Sequence, residues 1–224
     1  MKKEIFIVII TALIVVMFTI LFDTSVPIAN IRQGNIKWNT FNAKGLPKAQ
    51  GYELVIKYPS YWTPQEGNRP HIVKKFTTTE DNMLIGCMLL VHKLPYRISP
   101  KENEKMVAEM TKEDIPLNDS YPDSKILDFN KTRYEAIPGV FYKMEIKEER
   151  ANRKMKGLSD AHLLMYEDIA IQMQCLVLGH EGISTMNDIG KKYNQNKRLF
   201  DLFANSLVII DKYKEGESYE KKGK

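Results

Sequence analysis

A chain of 224 residues, with 33 Lys and Arg against 28 Asp and Glu, has room for one ordinary domain with a real core. The first 23 residues hold two charges of each sign, so the formal +5 falls wholly in the remainder, where it is scattered. That argues against a nucleic-acid binder, which carries a denser basic stripe with interleaved aromatics, and for a well-solvated surface.

Met1-Lys2-Lys3-Glu4 opens the chain, and the eighteen residues 5–22 then carry no charge. As a helix rising ~1.5 Å per residue, that run is about 27 Å long, close to the hydrocarbon thickness of a bilayer. Lys2 and Lys3 before it and Asp23 after it place the N-terminus in the cytoplasm and the rest of the chain across the membrane. A cleaved secretory signal begins the same way, but its apolar region runs about 7–15 residues and ends at a small-x-small site. Residues 23–29 offer no such site, and no Cys follows for lipid attachment. The expectation is a single-pass anchor over residues 1–23, with the domain in the periplasm or at the cell surface.

Residues 24–50, with Pro27, Gly34, Gly45 and Pro47, read as a linker, in which Ile36, Trp38 and Phe41 can dock on the domain edge. The domain proper is expected over 51–212. Tyr52, Leu54, Ile56 and Tyr58 alternate with Glu53, Val55 and Lys57, the period of a half-buried strand. Residues 71–79 form a second strand, and 83–92, apolar on both faces, a central one. Ser99-Pro100-Lys101-Glu102 is a capping box with Pro at the first helical position, and predicts a helix over 100–113. A loop over 115–124 leads to a strand at 125–130, and Pro138-Gly139 marks a turn. Val140, Tyr142, Met144 and Ile146 alternate into a charged hairpin tip over 147–156, and the return strand covers 158–167. Ile169, Ile171, Met173, Cys175 and Val177 share one face of a further strand. A helix over 187–205, a short strand at 207–210 and a charged, disordered tail over 213–224 complete the chain.

These elements predict an α+β domain, an antiparallel sheet of six or seven strands with two helices. Its order, together with Leu54-Val55-Ile56-Lys57-Tyr58-Pro59-Ser60-x-Trp62 and Phe203-Ala204-Asn205-Ser206-Leu207 at the closing junction, resembles PsbP-like domains. Those include the MOG-type Ran-binding protein and bacterial DcrB-like envelope proteins. The resemblance implies an α/β/α sandwich serving as a binding or accessory module, and brings no catalytic residues with it.

Residue chemistry adds little to that. Cys87 and Cys175, an even pair past a membrane, invite a disulfide; the alternative is two separate buried thiols. No cysteine or histidine stands at metal-ligand spacing, and no cofactor motif occurs. Ser159-Asp160-Ala161-His162 has the residue types of a hydrolase triad, but on a strand Ser159 points away from Asp160 and His162. It reads as a polar rim. Arg150, Arg153, Lys154 and Lys156 are the one local basic cluster, either a solvated tip or a contact for anionic lipid or an acidic partner. The expected function is a membrane-tethered, non-catalytic binding or assembly module with a protein partner near the membrane and no nucleic acid. A hydrolase whose site assembles only in the fold, or a structural component of a membrane complex, are the alternatives.

Overall fold

Alternation of period two governs the backbone from Leu54 onward, and most of the described residues are extended. The structure, a computed structural model, describes residues 36–115, 123–150 and 153–214. The strands are β1 (Trp38–Asn42), β2 (Leu54–Pro59), β3 (Thr63–Glu66), β4 (Ile72–Glu80), β5 (Met83–Ile98), β6 (Lys125–Tyr134), β7 (Ile137–Arg150), β8 (Arg153–His180) and β9 (Val208–Ile209). Two α-helices, α1 (Pro100–Glu109) and α2 (Met186–Asn205), interrupt them. The larger sheet is antiparallel in the order β3-β4-β5-β8-β7-β6, and β1-β2-β9 form a smaller one.

Arg153–His180 is one uninterrupted extended run, yet a straight strand of that length would overshoot any neighbour. It folds back at Glu167, where φ is 52°. The first limb pairs with β7 and the second with β5. Ser159 Oγ donates to the Cys175 carbonyl at 3.0 Å, so the limbs lie side by side. Gly157 permits that approach: a Cβ there would sit 2.3 Å from the Val177 carbonyl oxygen.

Each face of this sheet has its own core. On one, α2 and the smaller sheet cover Ile85, Cys87, Leu89, Ile171, Met173, Cys175 and Val177 with Phe200, Phe203, Leu54 and Ile56. On the other, Val107 of α1 and Met110 at its end meet Leu90, Leu94, Val140, Met144, Leu163 and Met165. Each such side chain stabilises the fold by about 1.5–3 kcal/mol relative to exposure. Both helices begin at complete capping boxes, Ser99 with Glu102 and Thr185 with Asp188.

Several expectations change. Residues 38–49, expected within the linker, carry β1, paired with β2 along its length, and a 3-10 turn at Pro47–Ala49. The domain runs past 212 as well, since residues 211–214 are helical and Lys214 pairs with Glu53 at 2.9 Å. The first helix stops at Glu109 rather than 113. Met110 turns extended there, and Thr111 caps a new 3-10 turn with Asp114. The turn before β7 is Glu135-Ala136, both at positive φ, and Pro138 lies inside the strand. Among the described residues no helix is long and apolar enough to cross a membrane; the expected anchor at 1–23 lies outside them.

Candidate functional site

Helix α2 lays Tyr193, Asn196, Lys197 and Phe200 across the sheet because they recur at helical spacing on its buried side. Beneath them Asp160 of β8 is fully buried. The Tyr193 hydroxyl donates to Asp160 Oδ1 at 2.5 Å, and Lys197 Nζ stands 3.3 Å from Oδ2, an ion pair without hydrogen-bond alignment. Lys197 also bonds Asp201, and Lys143 Nζ sits 4.1 Å from the centre of the Tyr193 ring. Burial pushes the Asp160 carboxyl above its usual range, against the pull of Tyr193, Lys197 and Lys143. For Lys197 the balance is opposite: burial lowers it, but Asp201 and Asp160 together hold it above the ordinary amine value. Desolvation therefore outweighs pairing at the buried partner and not at the half-exposed one, the order expected from their depths.

His162, on the same face, has its Nδ1 against the Tyr134 hydroxyl and its Nε2 buried without a partner. Burial, then the charge of Lys197, lowers it to about 4, so the ring is neutral at pH 7. The polar-rim reading of 159–162 is therefore corrected: these residues are buried, with the partners of Asp160 coming from α2, that of His162 from β6 and those of Ser159 from the second limb of β8. Ser159 lies on the opposite face, away from His162, with Gln174 on its hydroxyl. The cluster is closed on itself, and its chemistry is that of fastening helix to sheet.

On the far face a neutral group of amides and hydroxyls is buried. Gln174 Nε2 donates to Ser159 Oγ at 3.1 Å, while Gln172 Nε2 lies 3.3 Å from the Tyr142 hydroxyl and 3.4 Å from Gln174 Oε1. Cys87 and Cys175 are directly opposed in β5 and β8, with Cα atoms 3.9 Å apart, and their sulfurs are joined beneath α2.

An open feature lies where α1 ends. A groove of about 480 Å³ runs between Met110–Glu113 and the outer strand β6, with Ile126, Leu127, Asp128, Phe129 and Lys131 as its other wall. It exists because the chain leaves the helix early, and because β6 bulges between Ile126 and Asp128. Leu127 at the bulge is 46 % exposed, and Lys131 Nζ bonds the Ala108 carbonyl at the end of the helix. Apolar side chains line the floor, charges of both signs the rim, and β6 pairs on one side only among the described residues. An extended segment fits such a place.

The basic cluster divides. Arg150 and Arg153 pair as backbone across the hairpin, and their side chains lie outside what the structure describes. Lys154, 62 % exposed, is drawn to Glu149 at 3.7 Å, and Lys156 is half-buried. Among the described residues no three His, Cys, Asp or Glu side chains gather as metal ligands. The groove was missed in the sequence, although Leu127 breaks the alternation of Ile126, Asp128 and Phe129 and so signals a bulge.

No family model matches the chain, and no curated protein does. Solved structures similar to it in fold include two of low sequence identity. One is the solution structure of cyanobacterial PsbP (CyanoP) from Synechocystis sp. PCC 6803, with TM-score 0.44 and 12% identity over 81% of this chain and 97% of that one. The other is the crystal structure of LpqN, involved in cell envelope biogenesis of Mycobacterium tuberculosis, with TM-score 0.40 and 10% identity over 77% and 91%. Both likenesses are weak, and both are of fold alone.

Proposed function

We propose that this chain is a membrane-tethered extracytoplasmic binding or assembly module that takes an extended segment of a protein partner along β6. The observation that carries this reading is the groove between Met110–Glu113 and β6, an open apolar-floored channel beside an edge strand. Strand addition at such an edge draws affinity from backbone hydrogen bonds and specificity from alternate side chains. The uncharged run at 5–22 supports the tether, and the Cys87–Cys175 pair supports an oxidising compartment. Confinement at the membrane raises the effective concentration for partners held there.

Photocrosslinking in intact cells tests the reading. A crosslinker in place of Leu127 is expected to capture a discrete partner, and one in place of Leu202, comparably exposed on α2, is not. Equal capture at both positions, or none at Leu127, would remove the groove from consideration. Separately, the protein is expected to stay with membranes through alkaline extraction, and an N-terminus found near Asn30 would instead mean a released domain.

A further inference from the structure

The loop between β3 and β4 carries His71 over His92 of β5, and the two imidazoles stack with centroids 4.3 Å apart and planes 23° from parallel. The Nε2 of each ring is buried and has no hydrogen-bond partner. The charges around them are mostly of one sign. Arg69 from the same loop and Lys48 from the 3-10 turn both act on His71, and Lys48 acts in turn on Lys75, buried in β4. Glu66 of β3, the carboxylate within reach of Lys48, is taken up by Lys74. The ladder is also interrupted here: β4 and β5 slip register between Ile72 and Lys74, and beyond the bulge Val91 N–H donates to the His71 carbonyl at 2.9 Å.

We propose that the His71–His92 stack is an acid-sensitive latch, closed while both rings are neutral, whose protonation frees the start of β4 from β5. A stacked pair of imidazolium ions with their Nε2 atoms buried would repel one another, and Arg69 and Lys48 would add to that repulsion, while Glu66 is already taken up by Lys74. Burial and the neighbouring cations hold His71 down at about 4, and burial and His71 hold His92 at about 3, so the latch is shut at neutral pH. Unfolded or opened chain takes up protons nearer 6.5, and opening is therefore favoured as pH falls from that value towards the native ones. This is independent of the groove at β6, which lies at the opposite edge of the sheet.

Hydrogen exchange on the full-length protein, corrected for the intrinsic pH dependence of exchange, tests the latch. Protection of amides 72–76 and 89–92 is expected to fall at least tenfold between pH 6 and pH 4, while amides 140–146 and 171–177 change less than threefold. The double variant His71→Phe with His92→Phe keeps two stackable rings that cannot charge, and is expected to lose less than threefold. Unchanged protection at pH 4, equal loss in all four segments, or equal loss in the double variant would each overturn the proposal. Should that variant fail to fold, imidazole nitrogen shifts of the wild type decide: midpoints below pH 5 for both rings support the latch, and an ordinary midpoint for either ends it.

Discussion

The two faces of the large sheet are held by different means. Under α2 the core contains a disulfide, a buried carboxylate with a phenol and an ammonium group on it, and a cluster of aromatic rings. Under α1 the helix has ten residues, the hydrogen-bonded groups of Tyr142, Gln172, Gln174 and Ser159 are amides and hydroxyls, and the groove opens at its edge. Both faces bury apolar side chains, so hydrophobic burial alone does not distinguish them. What differs is how strongly each fixes the covering helix. A charge taken out of water demands its partner, whereas neutral hydrogen bonds contribute about 1 kcal/mol each and tolerate replacement. The α2 face is built to stay shut, and the α1 face is the one with room to receive something.

Removing the disulfide breaks this contrast most directly. The bridge spans a sequence separation of 88 residues, and replacing both Cys87 and Cys175 by Ala should lower stability by about 2–4 kcal/mol, read as a fall in the urea midpoint. Denatured, unreduced protein should titrate no free thiol. Two thiols per chain would leave the α2 face with its charge cluster alone.

The charge cluster comes next. Asp160→Ala strands Lys197 and the Tyr193 hydroxyl under α2 and should cost about 2–3 kcal/mol, less than a fully buried pair because Lys197 is 38 % exposed. Loss of Asp160 should also loosen α2 specifically, visible as faster exchange over 193–200. A cost below about 0.5 kcal/mol would mean that the cluster fastens nothing.

Acid sharpens the comparison because its members titrate with opposite signs. The native Asp160 carboxyl is raised, so its share of stability is present below the ordinary carboxyl range and is lost as pH rises through the native value. His162 is lowered to about 4 against an ordinary 6.5, so the native ring resists a proton that the unfolded chain accepts. Its share is complete above 6.5 and is lost as pH falls towards 4. His162→Gln should therefore flatten the decline of the urea midpoint between pH 6.5 and 4 by an amount worth about 2–3 kcal/mol. An unaltered pH profile in the variant would show that His162 is not held neutral.

How much of this was legible in the sequence follows from range. Strands with strict alternation, such as Leu54–Pro59 and the second limb of β8, announce themselves, and both helices declare their starts through caps made within three residues. Thr63–Glu66 does not: Thr-Pro-Gln-Glu carries no strand pattern and is held in place only by pairing with β4. Trp38–Asn42 likewise becomes a strand because β2 stands beside it. The polarity of 159–162 misled for the same reason. Asp160 is buried because Tyr193, thirty-three positions later, reaches it across the fold, and no local pattern encodes that. Cys87 lies in a run apolar on both sides, so its direction had to come from the register that opposes it to Cys175. Continuous apolar runs conceal orientation, and alternating ones reveal it.

The smallest expected effect belongs to the α1 face and probes the contrast from its other side. Gln172 is 2 % exposed, its Oε1 is buried without a partner, and its Nε2 makes only the long contacts to Tyr142 and Gln174. Gln172→Leu removes an unsatisfied acceptor and adds apolar contact with the α1-side core, while leaving the Tyr142 hydroxyl and Gln174 Oε1 short of one donor. The opposing terms are each about 1–2 kcal/mol, so the urea midpoint should move by no more than about 1 kcal/mol in either direction. Gln174 should be less forgiving, because its bond to Ser159 Oγ belongs to a chain that continues to the Cys175 carbonyl in the neighbouring limb. If Gln172→Leu instead cost as much as Asp160→Ala, neutral and charged polar groups would fasten the two faces equally. The openness of the α1 face would then rest on the shortness of its helix alone.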